Sequence, residues 1–274
     1  MLFFSIILLL FKGLNYGVDF KGGTLIELRT ENPIITIAEI RQSFLKMNLG
    51  DVTVKKFGQK NDYLVKIETK ETGNENFIKS INDKLSSDLG SKINFRRVEN
   101  VGPKVSSELL KSGVIAILMS LSAMMIYIWL RFEWQFGFGA VVALTHDVLF
   151  TLGILVLLNV EFSLSTIAAI LTIAGYSIND TVVIYDRIRE SMRKYKQISF
   201  DEVINISLNG TLSRTLMTSL TTLMALLALF IFGGIVISSF IIALIWGVLI
   251  GTYSSLYVAS PILTYLKQEK RQIN

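Results

Sequence analysis

The sequence predicts an α-helical membrane protein that crosses the bilayer several times and carries one inserted α+β domain. Three observations lead to this fold class. Of the 274 residues, 51% are hydrophobic and only 18% are charged, whereas soluble domains carry about 25% charged residues. Apolar runs follow one another in the second half of the chain, each close to the roughly 20 residues that a membrane helix needs. A polar block, residues 21–111, precedes them and is long enough for a small domain.

Five apolar stretches are long enough to span a membrane. They cover residues 114–130, 136–158, 162–185, 215–232 and 235–259. A sixth stretch, residues 2–11, corresponds to only roughly 15 Å of helix and cannot span the bilayer alone. No basic segment precedes it and no small-residue cleavage site follows it, so a signal peptide is disfavoured. We therefore expect six membrane helices, of which the first is truncated.

The polar block alternates between strand and helix patterns. Strand patterns cover residues 24–30, 52–57, 63–69 and 93–101, and helical patterns cover residues 36–47 and 75–90. Thr36 is the expected N-cap of the first helix and Gly90 the expected C-cap of the second. Residues 58–62 are expected to form the turn between the two middle strands. The order βαββαβ is typical of a ferredoxin-like split βαβ unit.

Lysine and arginine are concentrated in alternate loops between the predicted spans. They occur after the first full span, in residues 186–214 and in the tail, and are missing from the intervening loops. By the positive-inside rule the basic loops and the C-terminus face the cytoplasm, and the α+β domain is periplasmic. The predicted organisation is a partial first helix and exit (1–20), the periplasmic domain (21–111), a five-helix membrane bundle (112–266) with a basic cytoplasmic loop (186–214), and a cytoplasmic tail (267–274).

One motif in the basic loop predicts additional structure. The sequence "SFDE", from Ser199 to Glu202, is typical of a capping box, in which the first and last residues satisfy each other's backbone N–H groups. It predicts a short amphipathic helix lying at the membrane surface. A solvated linker is the alternative.

The composition excludes several classes of function. The chain has no cysteine and one histidine, which excludes disulfides, thiolate catalysis and histidine-rich or cysteine metal centres. No nucleophile–base constellation is present, so we expect neither an enzyme nor a cofactor. The net charge is +5, but the basic residues flank membrane segments or are spread over the polar block. That distribution favours membrane orientation over nucleic-acid binding.

Ionisable residues interrupt the apolar spans. His146 and Asp147 lie near the middle of the second full span, Asp180 lies in the third, and Arg214 precedes the fourth. A charge at mid-bilayer costs at least about 2.5–3.5 kcal/mol, so such residues usually face the bundle interior or a water path. A carboxylate there can take up a proton or pair with a cation. Arg214 offers Asp180 a cation, so the pair could couple proton passage to movement.

Other interpretations of these residues stay open. Arg214 could simply extend to the headgroups and set the orientation, and Asp180 could be a neutral hydrogen-bonding group in helix packing. Asp147 could hydrogen-bond His146 or nearby backbone as a structural element. Small residues nearby are expected to serve close helix contact rather than substrate binding; they are Gly137, Gly139, Gly153, Gly175 and Ser177.

Five motifs in order resemble the SecD/SecF family of translocase subunits. They are "GVDFKGGTLIELR" (17–29), "VGPKVSSELLKSG" (101–113), "LTHDVLFTLG" (144–153), "AGYSINDTVVIYDRIRE" (174–190) and "LSRTLMTSLTT" (212–222). The fourth is similar to the SecF form. The family usually begins with a basic lead and a full first helix, whereas Met1 here falls inside that helix. Within the first motif, Gly22 and Gly23 are expected to form a turn by which the chain leaves the membrane, a flexible linker being the alternative.

The resemblance implies an accessory subunit of the Sec preprotein translocase, of the RND-like class, in the bacterial inner membrane. Such a subunit uses the proton gradient to draw preproteins outward. The implied partners are SecD, the SecYEG channel, YajC, preproteins and membrane lipids. The family's proton-relay positions correspond to Asp180 and Arg214, with Asp147 as a third. The competing hypotheses are a non-coupled scaffold that stabilises SecD and the channel, and an RND-type small-molecule exporter.

Overall fold

A computed structural model describes residues 2–56, 61–68, 75–234 and 237–271 of the chain. The chain divides into two compact units. The helical unit comprises Met1–Asn15, Ile115–Gly233 and Ile237–Asn274, and the α+β unit consists mainly of Tyr16–Val114. The chain begins in the helical unit with helix α1 (Leu2–Phe11).

The α+β unit contains every strand and helix that the sequence predicts there. Its elements are β1 (Asn15–Tyr16), α2 (Val18–Lys21), β2 (Gly23–Thr30), α3 (Ile37–Lys46), β3 (Asp51–Lys56), β4 (Asp62–Glu68), α4 (Glu75–Leu89) and β5 (Ile93–Val101). Strands β2 to β5 form one sheet in the order β3-β4-β2-β5, and all neighbours are antiparallel. The predicted turn at 58–62 falls mostly outside the described residues.

The core of the α+β unit follows from strand and helix periodicity. Alternate residues of β2 and β4 point to one face of the sheet, and one stripe of each helix covers that face. Fully buried side chains there are Ile26, Leu28, Ile40, Phe44, Val65, Ile67 and Leu85. The predicted caps are confirmed: Thr36 forms a capping box with Glu39, and Gly90 follows α4 with φ of 56°.

Among the described residues, five helical segments are long and apolar enough to cross a membrane, and they contain the five long apolar stretches of the sequence. The elements of the helical unit are α5 (Pro103–Arg131), which belongs to this unit from Ile115 onward, α6 (Trp134–Leu157), β6 (Glu161–Phe162), α7 (Leu164–Lys194), α8 (Phe200–Phe232) and α9 (Ser238–Ser254). A π-helical turn, Ser255–Ala259, joins α9 to α10 (Ser260–Arg271). Helix α1 packs against α6, where a Cβ at Gly153 would lie 2.8 Å from the Cα of Ser5.

The segment between the third and fourth full spans differs from the prediction. Most of residues 186–214 is helical, because α7 continues to Lys194 and α8 begins at Phe200. The capping box of Ser199 and Glu202 is confirmed. However, it opens one 33-residue helix, so the separate surface helix is wrong. No proline interrupts the sequence before the apolar part of α8, and buried side chains continue at helical spacing through the Asn209–Gly210 pair.

The five long helices differ in how deeply they are buried. Helices α6, α7 and α9 are more than half buried, whereas α5 and α8 expose most of their apolar surface. Polar side chains on the three inner helices therefore meet inside the unit. These three helices position the candidate site.

Candidate functional site

Small residues bring α9 close to α7. Gly247 and Gly251 lie one helical turn apart on α9; a Cβ at Gly247 would collide with Ile173, and one at Gly251 would lie 3.1 Å from the Cβ of Ser177. Close approach of this kind is what small residues permit in membrane helices. Ser255 lies one further turn along the same face of this last span, so that face presents hydroxyl groups as well as glycines to α7.

Asp147 on α6 is the most completely buried carboxylate of the unit, with no exposed surface. Its Oδ2 accepts hydrogen bonds from the hydroxyls of Ser177 on α7 (2.5 Å) and Ser254 on α9 (2.7 Å). Its Oδ1 lies 3.0 Å from Nδ1 of His146. The carboxylate therefore joins all three inner helices. The predicted hydrogen bond between Asp147 and His146 is confirmed.

A second hydroxyl pair lies one turn along α7 from Ser177. Thr181 and Ser255 place their hydroxyl oxygens 3.0 Å apart, and Ser255 also donates to the carbonyl oxygen of Gly251 at 2.9 Å. Ser255 begins the π-helical turn of the last span. Such turns widen the helix locally and occur often at functional sites. The two pairs together form a polar seam between α7 and α9.

Asp180 lies on α7, three residues beyond Ser177, and is 5% exposed. Its Oδ2 is buried and has no hydrogen-bond partner among the residues that the structure describes, and the same holds for the hydroxyl of Thr215 on α8. An unsatisfied polar group costs roughly 1–3 kcal/mol. Oδ2 of Asp180 is therefore a site where a proton or a water molecule would lower the free energy.

Arg214 lies on α8, which packs against α7, and its side chain is exposed. No ion pair between Arg214 and Asp180 exists within the part of the chain that the structure describes. The predicted partners thus lie on neighbouring helices without forming an ion pair. Asp147 on α6 and Asp180 on α7 lie on neighbouring helices. Ser177, which donates to Asp147, lies three residues before Asp180 on α7.

Sequence reasoning missed the hydroxyl partners of Asp147. It assigned Ser177 to helix packing, and it did not consider Thr181, Ser254 and Ser255. The signal was present in the last span, where small residues recur every fourth position at Gly247, Gly251, Ser255 and Ala259. Such a stripe marks the face by which a membrane helix meets its neighbours.

The predicted glycine turn adopts backbone conformations that favour glycine. Gly22 has φ of 79° and Gly23 has φ of 130°. A Cβ at Gly23 would collide with the carbonyl oxygen of Ile67 on the neighbouring strand. In the structure Gly22 follows α2 and Gly23 begins β2. The role of this glycine pair in leaving the membrane stays a prediction.

Comparisons with known proteins give the family. The family described as Protein export membrane protein SecD/SecF, C-terminal, matches residues 81–269, and the SecD/SecF GG Motif matches residues 7–34. Protein translocase subunit SecF of Rickettsia rickettsii is 45% identical over 93% of this chain and 83% of the relative. The SecF of Cereibacter sphaeroides is 44% identical over 96% of this chain and 83% of that protein.

A solved structure shows the same fold. The crystal structure of SecDF from Thermus thermophilus, a translocon-associated membrane protein, matches with a TM-score of 0.86 and 36% identity. The match covers 97% of this chain and 36% of the SecDF chain, so this chain spans about a third of that protein's length. The relatives are transport components, which confirms the prediction that the chain is not an enzyme. The chain is a multi-pass membrane protein that belongs to the SecD/SecF family of protein export membrane proteins, on its SecF branch.

Proposed function

We propose that this chain couples the proton gradient across the bacterial inner membrane to protein export, with Asp180 as the group that gains and loses the proton. One observation carries the proposal: among the described residues, a carboxylate buried between membrane helices has an oxygen without a partner, while an arginine on the adjacent helix α8 is exposed and forms no ion pair with it. Movement of Arg214 toward Asp180 would favour release of the proton, and movement away would favour its uptake. The gradient supplies about 2.3 kcal/mol per charge per 100 mV, and no cofactor is needed.

Asp147 would serve as a second proton-binding group of the relay. Hydroxyl groups can donate to an ionised carboxylate or accept from a protonated one. The seam formed by Ser177, Ser254, Thr181 and Ser255 therefore suits both ionisation states. Ser177 of this seam, which donates to Asp147, lies three residues before Asp180 on α7.

The match to SecDF and membership of the SecD/SecF family support SecD as the first of the proposed partners. The proposed assembly also includes the SecYEG channel, YajC and translocating preproteins. A small-molecule exporter is disfavoured, because the relatives are subunits of a protein translocase.

The proposal includes finer points of architecture. Six membrane helices are supported by the apolar helix α1, which packs on α6 like a further span. A ferredoxin-like domain is supported by the order β3-β4-β2-β5, in which the two strands joined by α3 are separated by a third. A periplasmic domain and a cytoplasmic C-terminus are supported by the arginines and lysines near the ends of α5, α7 and α10.

The second candidate is a scaffold that stabilises SecD and the channel without coupling. The complete hydrogen bonding of Asp147 favours it, since a fully satisfied polar group can serve folding alone. A scaffold requires that Asp180→Asn and Arg214→Met both leave export unchanged. It also requires that removal of residues 24–100 impairs export.

The decisive variant is Asp180→Asn, compared with Asp201→Asn as a matched control. Asp201 is an exposed aspartate in the first turn of α8. Both would be assembled with SecD and the channel in vesicles that sustain a proton gradient, and export would be measured with and without an ionophore. We expect Asp180→Asn to insert and assemble normally but to export at the ionophore-treated rate of the wild type. Gradient-dependent export at the rate of Asp201→Asn would remove Asp180 from the mechanism.

A further inference from the structure

A basic pocket lies where α5 ends and α7 leaves the apolar region. It has a volume of about 450 Å³ and is lined by Arg131, Asp186, Arg189, Glu190, Arg193 and Lys194. We refer to these six residues as the basic pocket. The five residues from α7 recur at spacings of three and four, so they occupy one face of the helix.

Contacts hold one side of the basic pocket in place. Nη2 of Arg131 lies 2.9 Å from Oδ1 of Asp186, which ties the end of α5 to α7. The guanidinium groups of Arg131 and Arg189 lie 5.0 and 5.4 Å from the ring centroid of buried Phe132. The ring thus supports two guanidinium groups by cation–π contact. These arginines are positioned before any ligand binds.

The other side of the basic pocket carries uncompensated charge. Arg193 and Lys194 are exposed and have no ion pair among the residues that the structure describes. Asp186 is engaged by Arg131, and Glu190 receives a hydrogen bond from Arg187, which lies outside the pocket. The pocket therefore presents cations whose carboxylate partners are either absent or already used.

The surroundings of the basic pocket are those of a membrane interface. Arg131 is flanked in the sequence by Trp129 and Trp134, whose side chains are 70% and 53% exposed. Leu130, beside it, is 85% exposed. Exposed tryptophans at the end of a membrane helix are typical of the headgroup level. A ligand at this place meets cations and apolar surface together.

We propose that the basic pocket binds the phosphate headgroup of an anionic phospholipid. Arginine forks suit phosphate oxygens, and a pocket of this charge at the end of membrane helices suits an anionic headgroup. The exposed apolar surface beside Arg131 favours a lipid over a free phosphate ion, because it would contact the acyl chains. This binding site is independent of the proton-coupling role of Asp180.

Native mass spectrometry of the purified full-length chain in detergent would test the site. Phosphatidylglycerol and phosphatidylcholine would be titrated separately, and inorganic phosphate would be added as a competitor. We expect phosphatidylglycerol to be retained in preference to phosphatidylcholine. We also expect Arg193→Gln to weaken that retention about fivefold, while phosphate at the same concentration as the lipid displaces none of it.

Lys196→Gln is the matched control, because Lys196 is exposed, lies three residues further on and does not line the pocket. Equal effects of Arg193→Gln and Lys196→Gln would show diffuse surface attraction and overturn the proposal. Equal retention of the two lipids would also overturn it. Displacement by inorganic phosphate would assign the pocket to a free anion and overturn the lipid as its ligand.

Discussion

The α+β unit and the helical unit both bury aspartates, but they give them different partners. Asp62 on β4 is 3% exposed and accepts two hydrogen bonds from the guanidinium of Arg29, at 2.5 and 2.8 Å. Asp147 is bonded by two hydroxyls and an imidazole. Asp180 leaves one oxygen without a partner. The buried carboxylates of the helical unit thus lack the permanent cation that Asp62 has.

This difference separates a carboxylate that stays ionised from one that can gain and lose a proton. A bidentate guanidinium strongly favours the ionised carboxylate, so Asp62 is committed to one state. Hydroxyl partners are compatible with both states of Asp147, and an unpartnered oxygen leaves room for a proton on Asp180. The fold of the helical unit therefore does not require its buried aspartates to keep one ionisation state. That freedom is what proton coupling needs.

The largest effect is expected from breaking the pair in the α+β unit. Arg29→Met leaves the buried Asp62 carboxylate without its bidentate partner, and a second cation, Nη1 of Arg96, lies farther away, 3.7 Å from Oδ2. Loss of one partner of a buried ion pair destabilises a folded protein strongly. We expect the amides of β2 and β4 to exchange with deuterium roughly a hundredfold faster. Lys46→Met is the control, because Lys46 pairs with Asp88 on an exposed surface, where ion pairs contribute little. Equal acceleration in both variants would contradict a structural role for the pair.

An intermediate effect is expected at Asp147. Leucine at this position leaves two hydroxyls and an imidazole without their acceptor, so Asp147→Leu should lower the free energy of unfolding by about 1–3 kcal/mol. Asparagine keeps one acceptor oxygen for the hydroxyls, so Asp147→Asn should cost less. Asp180→Leu removes an unsatisfied group and should cost nothing. Thermal unfolding of the purified chain would compare the three variants. A larger loss of unfolding free energy for Asp180→Leu than for Asp147→Leu would contradict the view that Asp147 is the better hydrogen-bonded of the two.

Local sequence patterns predicted the elements and the buried charges. Five spans, the strands of the α+β unit and the caps at Thr36 and Gly90 depend on residues adjacent in the chain, and all were found. Asp147 and Asp180 were visible because a carboxylate inside an apolar run is unusual. Both are buried as expected.

Features set by helix rotation and contact could not be predicted in this way. Which hydroxyls reach Asp147 depends on how α9 packs against α7, and the sequence of either helix alone does not contain that information. The position of Arg214 depends likewise on the rotation of α8, which places it exposed and out of contact with Asp180. The single helix α8 was missed because a capping box marks where a helix begins and does not indicate where it ends.

The smallest effect is expected at Glu39 in the α+β unit. It tests whether the carboxylates of this unit act on folding alone. The backbone N–H of Thr36 donates to Oε2 of Glu39 at 2.7 Å, and this bond, together with that from the Thr36 hydroxyl, holds the pKa of Glu39 below its ordinary value. The folded state therefore binds this proton less readily than the unfolded state. The resulting stability is present above the unfolded pKa, about 4.3, and is lost as the pH falls through the folded pKa.

We expect the deuterium-exchange protection of α3, corrected for intrinsic rates, to fall as the pH is lowered from 6 to 3, the range that spans roughly the ordinary titration of glutamate. Glu39→Gln should remove this dependence, whereas Glu31→Gln, at an exposed position before the helix, should keep it. An unchanged pH dependence in Glu39→Gln would mean that another group titrates. The effect is confined to acid pH. Near neutral pH the charge of Glu39 stabilises α3 and does not change with pH, as expected of a carboxylate that serves folding alone. A carboxylate that serves transport must instead change its protonation during each cycle.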